Sequence, residues 1–164
     1  MRRLFELLLA LSILTTSGCQ ISTGGSTSET RGGQQDSAPR VNAKKLKALE
    51  NLSDPVVTDL ERSKWGNPDT YTELGKQYRL LETNDGYSEA GMASWYGAKF
   101  HGRRTSSGQI FDMYQLTAAH KTLPIPVFAK VTNLRNEKET IVLINDRGPF
   151  HADRLIDLSF AAAV

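Results

Sequence analysis

Apolar residues gather in two parts of this chain, the first fourteen residues and the stretch after Gly91, with a polar, turn-rich segment between them. Leu4–Leu14 is an apolar run interrupted by Glu6 and preceded by Arg2 and Arg3. It is too short for a comfortable membrane span, so residues 1–18 read as a targeting segment and are excluded from the fold; a buried helix is the competing reading. Residues 20–40 are Ser, Thr, Gly, Gln and charge, which predicts a disordered tether. Val41, Leu46, Leu49 and Leu52 recur at near-helical spacing with lysines between them. A short amphipathic helix and a solvated linker with scattered leucines both fit that spacing. Residues 53–90 carry Pro55, Gly66, Pro68, Gly75 and Gly86 without a sustained period. The stretch 19–70 therefore reads as linker, and 71–90 as an extended approach with little chemistry. No internal repeat is visible.

After Gly91 the period changes to that of strands. Gly91–Tyr96 alternates loosely, with Trp95 and Tyr96 favouring a strand. Phe111–Thr117 is a second short candidate. Val127–Thr132 alternates cleanly, placing Val127, Ala129 and Val131 on one face. Asn133–Glu139 reads as a hairpin turn, and Thr140–Ile144 as an apolar return strand buried on both faces or crossing a barrel interior. Arg154–Leu158 is a further strand. Ser159 is placed to N-cap a helix through Phe160–Ala163. Many short strands with Gly/Pro turns predict a mainly β fold, a small barrel with a minor helix over 91–164. The last helix has about one turn before Val164, so the barrel is expected to be incomplete at its C-terminal end.

Composition narrows the function classes. The formal net charge of +2 over 164 residues is too near neutral to argue for nucleic acid. Cys19 is the only cysteine and cannot form an internal disulfide. Its setting, Thr16-Ser17-Gly18-Cys19 directly after an apolar run, resembles the bacterial lipobox, where the cysteine is lipidated and begins the mature chain. Thr16 stands where a larger aliphatic is usual. Gln20 is not the Asp that marks inner-membrane retention in the bacterial pattern. The expectation is a lipid anchor at Cys19 in the outer membrane, facing the periplasm; a free thiol near an ordinary cleavage site is the competing reading. Three histidines and one such cysteine form no metal-ligand pattern, so neither metal nor cofactor is expected. No phosphate-cradling loop or nucleophilic triad is present.

Two polar runs remain as candidate chemistry, His101–Gln109 and Asn145–Phe150. Each follows a strand-like stretch, and loops on a strand scaffold are where binding and catalysis concentrate. Asp146 follows four apolar residues, Ile141–Ile144. Asn-Asp-x-Gly-Pro is also ordinary turn chemistry, so a purely structural Asp146 is open on spacing alone. His120 reads either as a residue that orients Asp146 or contacts substrate, or as a structural histidine; His101 and His151 share that ambiguity. Trp95 and Tyr96 are sugar-stacking candidates if exposed and core residues otherwise. Lys99, Arg103, Arg104 and Arg147 give these loops a basic rim. That rim is either solvated charge or an attraction for a carboxylate-bearing substrate.

The text GMASWYGAKFHGRRTSSGQIFDMYQLTAAHKTLPIPVFAKVTNL (91–134), then INDRGPFHADRLIDLSFAAA (144–163), strongly resembles the rare lipoprotein A (RlpA) family of bacterial cell-envelope proteins. Tyr71-x-x-x-Gly75-Lys76-x-Tyr78 fits it as well. The resemblance implies a six-stranded double-psi β-barrel, a fold shared with barwin, expansins and some endoglucanases. It implies lytic transglycosylation of peptidoglycan, with preference for strands stripped of stem peptides. Asp146 falls on the family's catalytic aspartate and His120 on a family histidine. Gln109 stands where the family usually has Glu; an amide binds sugar hydroxyls but does not titrate. Trp95, Tyr96, Gln109 and Arg147 are the substrate-binding candidates. A non-catalytic glycan-binding module is the rival that Gln109 favours. The SPOR domain that family members often carry is not found in this sequence, and protein partners are not indicated.

Overall fold

The computed structural model describes residues 38–164 in full, together with the backbone of residues 5–10. Cys19 and the expected tether through residue 37 lie outside the described residues. Six strands close a barrel in the order β1-β4-β8-β5-β7-β6: β1 (Phe5–Ala10), β4 (Ser88–Trp95), β8 (Arg154–Leu158), β5 (Thr117–His120), β7 (Glu139–Asp146) and β6 (Val127–Asn133). β4 runs parallel to β8, and β5 parallel to β7, while β5/β8 and β6/β7 are antiparallel. A separate antiparallel hairpin joins β2 (Thr70–Glu73) to β3 (Lys76–Arg79). Closure removes the unpaired edges that make open sheets prone to association.

β6, β7 and β8 lie within a few residues of their predicted bounds because their alternation survives in the burial. Val142, Ile144 and Ile156 are fully buried, with Ala118, Ala129 and Leu123 around them. Ile141 and Leu143 are half-buried, so β7 has one sealed face and one partly covered face. The β6–β7 turn uses Asn133 and Asn136, whose side chains accept from the Arg135 and Lys138 amides at 3.0 and 3.1 Å. Ser159 N-caps α2 (Phe160–Ala163) as expected, its hydroxyl accepting from Ala162 N at 3.1 Å.

In this chain, which still carries the segment expected to be removed as a targeting sequence, Phe5–Ala10 pairs in parallel with both β4 and β6. A short apolar run carries no period that distinguishes these fates. The expected strand at Phe111–Thr117 is displaced: the strand is Thr117–His120, and Phe111 and Met113 are buried from a loop. Ala118 and Ala119 have low intrinsic strand preference and are held there by β7 and β8 on either side. Of the two readings of 41–52, helix and solvated linker, the structure has the helix, α1 (Ala43–Glu50), capped by Asn42, whose Oδ1 accepts from Lys45 N at 2.8 Å. Leu49 buries against a second core of Tyr96, Phe111, Met113 and Phe160.

Candidate functional site

β7 carries Asp146 to its C-terminal end. The β5–β7 register slips there: Ile144 faces Ala118 and Asp146 faces Ala119, leaving Asn145 as the extra residue. Such bulges re-aim side chains at barrel rims. Three donors converge on one oxygen of Asp146. Its Oδ1 accepts from Ser106 N at 2.8 Å, Ser106 Oγ at 2.7 Å and Arg147 N at 2.8 Å. No hydrogen bond from a described residue reaches Oδ2. The carboxyl group is thus fixed through one oxygen and presents the other.

The two polar runs of the sequence meet here. Ser107 N donates to Asn145 O at 3.2 Å, and Asn145 Nδ2 donates to Gln109 Oε1 at 2.7 Å. The His101–Gln109 loop is a tight turn in its own right. Thr105 N donates to Gln109 O at 2.8 Å and Gly108 N to Thr105 O at 2.9 Å, with Gly108 at φ +88°. Gln109 is exposed and two residues from Asp146 through Asn145.

Arg147 turns away from the Asp146 carboxylate. Its Nε donates to Gly66 O at 2.8 Å, Nη1 to His120 O and Leu123 O at 3.3 and 2.6 Å, and Nη2 to Asn67 Oδ1 at 3.0 Å. Four of its five N–H groups are therefore spent on the protein. The guanidinium ties the site loop to the 120–123 turn and to a strap of chain, Ser63–Asn67. Burial lowers its pKa to about 10, leaving it charged at neutral pH.

His120 is 2% exposed. Its Nδ1 accepts from the amides of Thr122 and Leu123 at 3.2 and 3.1 Å, which places the proton of the neutral ring on Nε2, facing the Tyr87 hydroxyl at 3.0 Å. Tyr87 donates onward to Glu89 at 2.6 Å. Burial, then the charges of Arg147 and Lys121, lower the His120 pKa to about 3. The ring is neutral at physiological pH, and no hydrogen bond joins it to Asp146. It reaches Asp146 only through its own carbonyl and Arg147.

The aromatic candidates separate. Tyr96 is buried, stacked on Phe111 with centroids 4.2 Å apart. Burial first, then the carboxylates of Asp146 and Asp157, hold its phenol well above the usual tyrosine range. Trp95, on the opposite face of the strand, packs edge-on to Phe160 and lines a cleft of about 620 Å³ with Leu49, Leu158 and Val164. That cleft includes none of Ser106, Gln109 or Asp146. Among the ambiguous histidines, His101 accepts from Met113 N at 3.3 Å and sits 3.6 Å from Asp112. Among the described residues no three His, Cys, Asp or Glu side chains are grouped to hold a metal.

Sequence reading missed Ser106 and the strap. Ser63 Oγ donates to Ser107 O at 3.1 Å, and Asn67 exchanges hydrogen bonds with Ile125, donating to its O at 2.6 Å and accepting from its N at 2.9 Å. The β2–β3 hairpin follows, where Tyr71 and Tyr78 stack at 5.1 Å and both rings meet Phe150 of the site loop. The Trp-Gly-Asn-Pro text at 65–68 was a turn signal, but nothing in its spacing named a partner.

Residues 88–164 match the family model described as lytic transglycolase. Over 163 residues the chain is 47% identical to the endolytic peptidoglycan transglycosylase RlpA of Vibrio cholerae, covering 99% of this chain and 57% of that protein. It is 51% identical over 115 residues to the protein of the same name in Pseudomonas aeruginosa, covering 70% of this chain and 33% of the relative. A Helicobacter pylori protein of that name is 55% identical over 93 residues, which is 57% of this chain and 30% of the relative. The chain thus spans between about a third and just over half of these curated relatives.

Proposed function

Because this chain belongs to the rare lipoprotein A family, we propose that its barrel cleaves peptidoglycan glycan strands as a lytic transglycosylase, with Asp146 as the acid and then the base. The observation that carries this reading is the Asp146 carboxyl group, held through Oδ1 by Ser106 and Arg147 with Oδ2 left to substrate. Protonated Asp146 gives its proton to the glycosidic oxygen as that bond breaks and positive charge develops at the anomeric carbon. The 6-hydroxyl of the same muramic acid residue then attacks that carbon, and the Asp146 carboxylate takes the hydroxyl proton. A 1,6-anhydromuramic end forms without water. One carboxyl group serves both steps, so no second carboxylate is required. Gln109, beside Asn145, is placed to hydrogen-bond a sugar hydroxyl. The preferred substrate is strands lacking stem peptides, and the cellular role is wall remodelling or daughter-cell separation. Lipidation at Cys19 anchors the protein in the outer membrane, facing the periplasm; labelling with radioactive palmitate that persists in Cys19→Ala would overturn that part.

The test is incubation of the purified chain with peptide-free glycan strands and mass analysis of the products. Anhydromuramic ends that disappear in Asp146→Asn support the enzyme; none from folded protein sinks it. Gln109 favours the second reading, a glycan-binding scaffold, because the family's titratable group is here an amide paired to Asn145. That reading predicts co-sedimentation with peptidoglycan and no released product.

A further inference from the structure

The strap carries an aromatic side chain that the fold does not use. Trp65 is 58% exposed, although the chain around it is closely held. Trp65 N donates to Ser63 Oγ at 3.0 Å, and Trp65 O accepts from Asn67 Nδ2 at 3.3 Å. Gly66 O takes the Arg147 Nε bond. The indole edge lies over Gly108, where a β-carbon would sit 3.3 Å from Cδ1 and 3.9 Å from Nε1. Gly108 precedes Gln109, and its carbonyl accepts from Arg104 Nη1 at 2.9 Å. The Lys64 ammonium stands 5.4 Å from the indole centroid. What sets Trp65 apart from other exposed apolar side chains is its place: a flat ring on a pinned segment, against Gly108 of the loop that ends in Gln109, with its surface open to a ligand. Flat aromatic faces suit the C–H face of a pyranose, whose hydroxyls point outward to polar neighbours.

We infer that Trp65 is the floor of a sugar-binding subsite adjoining Asp146: a pyranose of the glycan stacks on the exposed indole, with Lys64 and Arg104 beside it for a carboxylate-bearing sugar. The inference rests on the glycan reading above, but concerns binding and is separable from cleavage. Arg147 couples the two parts, since it holds Gly66 and Asn67 from the residue after Asp146.

The chain has two tryptophans, so Trp95→Phe leaves Trp65 as the sole indole reporter. In the 164-residue chain carrying Asp146→Asn and Trp95→Phe, titration with peptide-free glycan strands is expected to shift the emission to shorter wavelength. The shift should saturate at the concentration that saturates co-sedimentation. In the Asp146→Asn chain, adding Trp65→Ala is expected to weaken co-sedimentation about tenfold or more, and Trp65→Tyr to restore most of it. Chito-oligosaccharides, which lack the lactyl carboxylate, are expected to bind more weakly; equal binding would remove Lys64 and Arg104 from the subsite. Undiminished sedimentation of Trp65→Ala with no emission change in the reporter would overturn the subsite and leave the transglycosylase standing, as would an unchanged KM for product formation in Trp65→Ala with Asp146 intact. No strand binding and no product from the parent chain would overturn both. Trp65 is exposed, so an unchanged far-ultraviolet circular dichroism spectrum checks that the variants fold.

Discussion

The Ser106 hydroxyl donates to Asp146 Oδ1 at 2.7 Å while accepting the Arg147 amide at 3.2 Å, so one side chain sets both the acid and the turn that carries it. The Ser106 amide donates to the same oxygen at 2.8 Å. Ser106→Ala keeps the amide and loses the hydroxyl. Because reaction rates respond steeply to small displacements of an acid, kcat is expected to fall about 10- to 100-fold, with KM little changed. Stability should drop by about 1–2 kcal/mol in urea denaturation. Wild-type kcat in the alanine variant would remove Ser106 from the positioning of Asp146.

Gln109→Glu introduces the carboxylate that the resemblance leads one to expect here, without altering the acceptor offered to Asn145 Nδ2, now 2.7 Å from Gln109 Oε1. If the amide limits turnover, the variant should gain activity about tenfold or more, and its pH–rate profile should acquire an added ionisation on the acid side. A rate and profile identical to wild type would mean that Asp146 works unaided.

Burial depresses the folded-state pKa of His120 from 6.5 to about 3, so the unfolded chain binds a proton that the folded chain refuses. Stability from the neutral ring is complete above pH 6.5 and is lost as pH falls from there toward 3. The loss is about 1.4 kcal/mol per pH unit once well below the unfolded value. His120→Asn keeps an acceptor for the Thr122 and Leu123 amides and removes the titration. Denaturant midpoints between pH 6.5 and 4.5 should therefore fall more steeply in wild type than in the variant; parallel slopes would contradict the buried neutral ring.

Gly66 adopts φ +72°, and a β-carbon there would lie 2.6 Å from Ser106 O and 2.8 Å from Ile125 Cδ1. Left-handed backbone and a clash with a carbonyl oxygen oppose any side chain at this point. Gly66→Ala is expected to cost about 1–3 kcal/mol and to lift the strap from the site loop. Limited proteolysis should then cut near residue 65 faster, with reduced activity. A variant cleaved and active like wild type would show that the strap is not needed.

Much of the barrel was legible from the chain. β6, β7, β8 and α2 follow from alternation, from the turn residues Asn133–Glu139 and from the capping hydroxyl of Ser159, all local signals. β5 departs from the expected Phe111–Thr117 because Thr117–His120 offers two alanines and a histidine, and only neighbours on both sides make it a strand. The hairpin at 70–79 leaves no signal in the sequence, because its strands are four residues each and mostly exposed. A short two-stranded ribbon has too few alternating positions to register as a period.

The candidate site divides in the same way. The sequence by itself determined that Asp146 ends an apolar strand in a Gly-Pro turn, that a second polar loop ends in an amide rather than an acid, and that the text from 91 to 163 is that of the rare lipoprotein A family. These properties depend on residue type and order along the chain. Only the tertiary structure decided that Ser106, forty residues away, grips Asp146 and that Arg147 points into the strap. It also decided that the His120 ring faces Tyr87, and that Trp65 rather than Trp95 stands at the rim of the site. Those outcomes depend on which chain segments barrel closure brings side by side. Hydrogen bonds between loops far apart in sequence leave no periodic trace from which to read them.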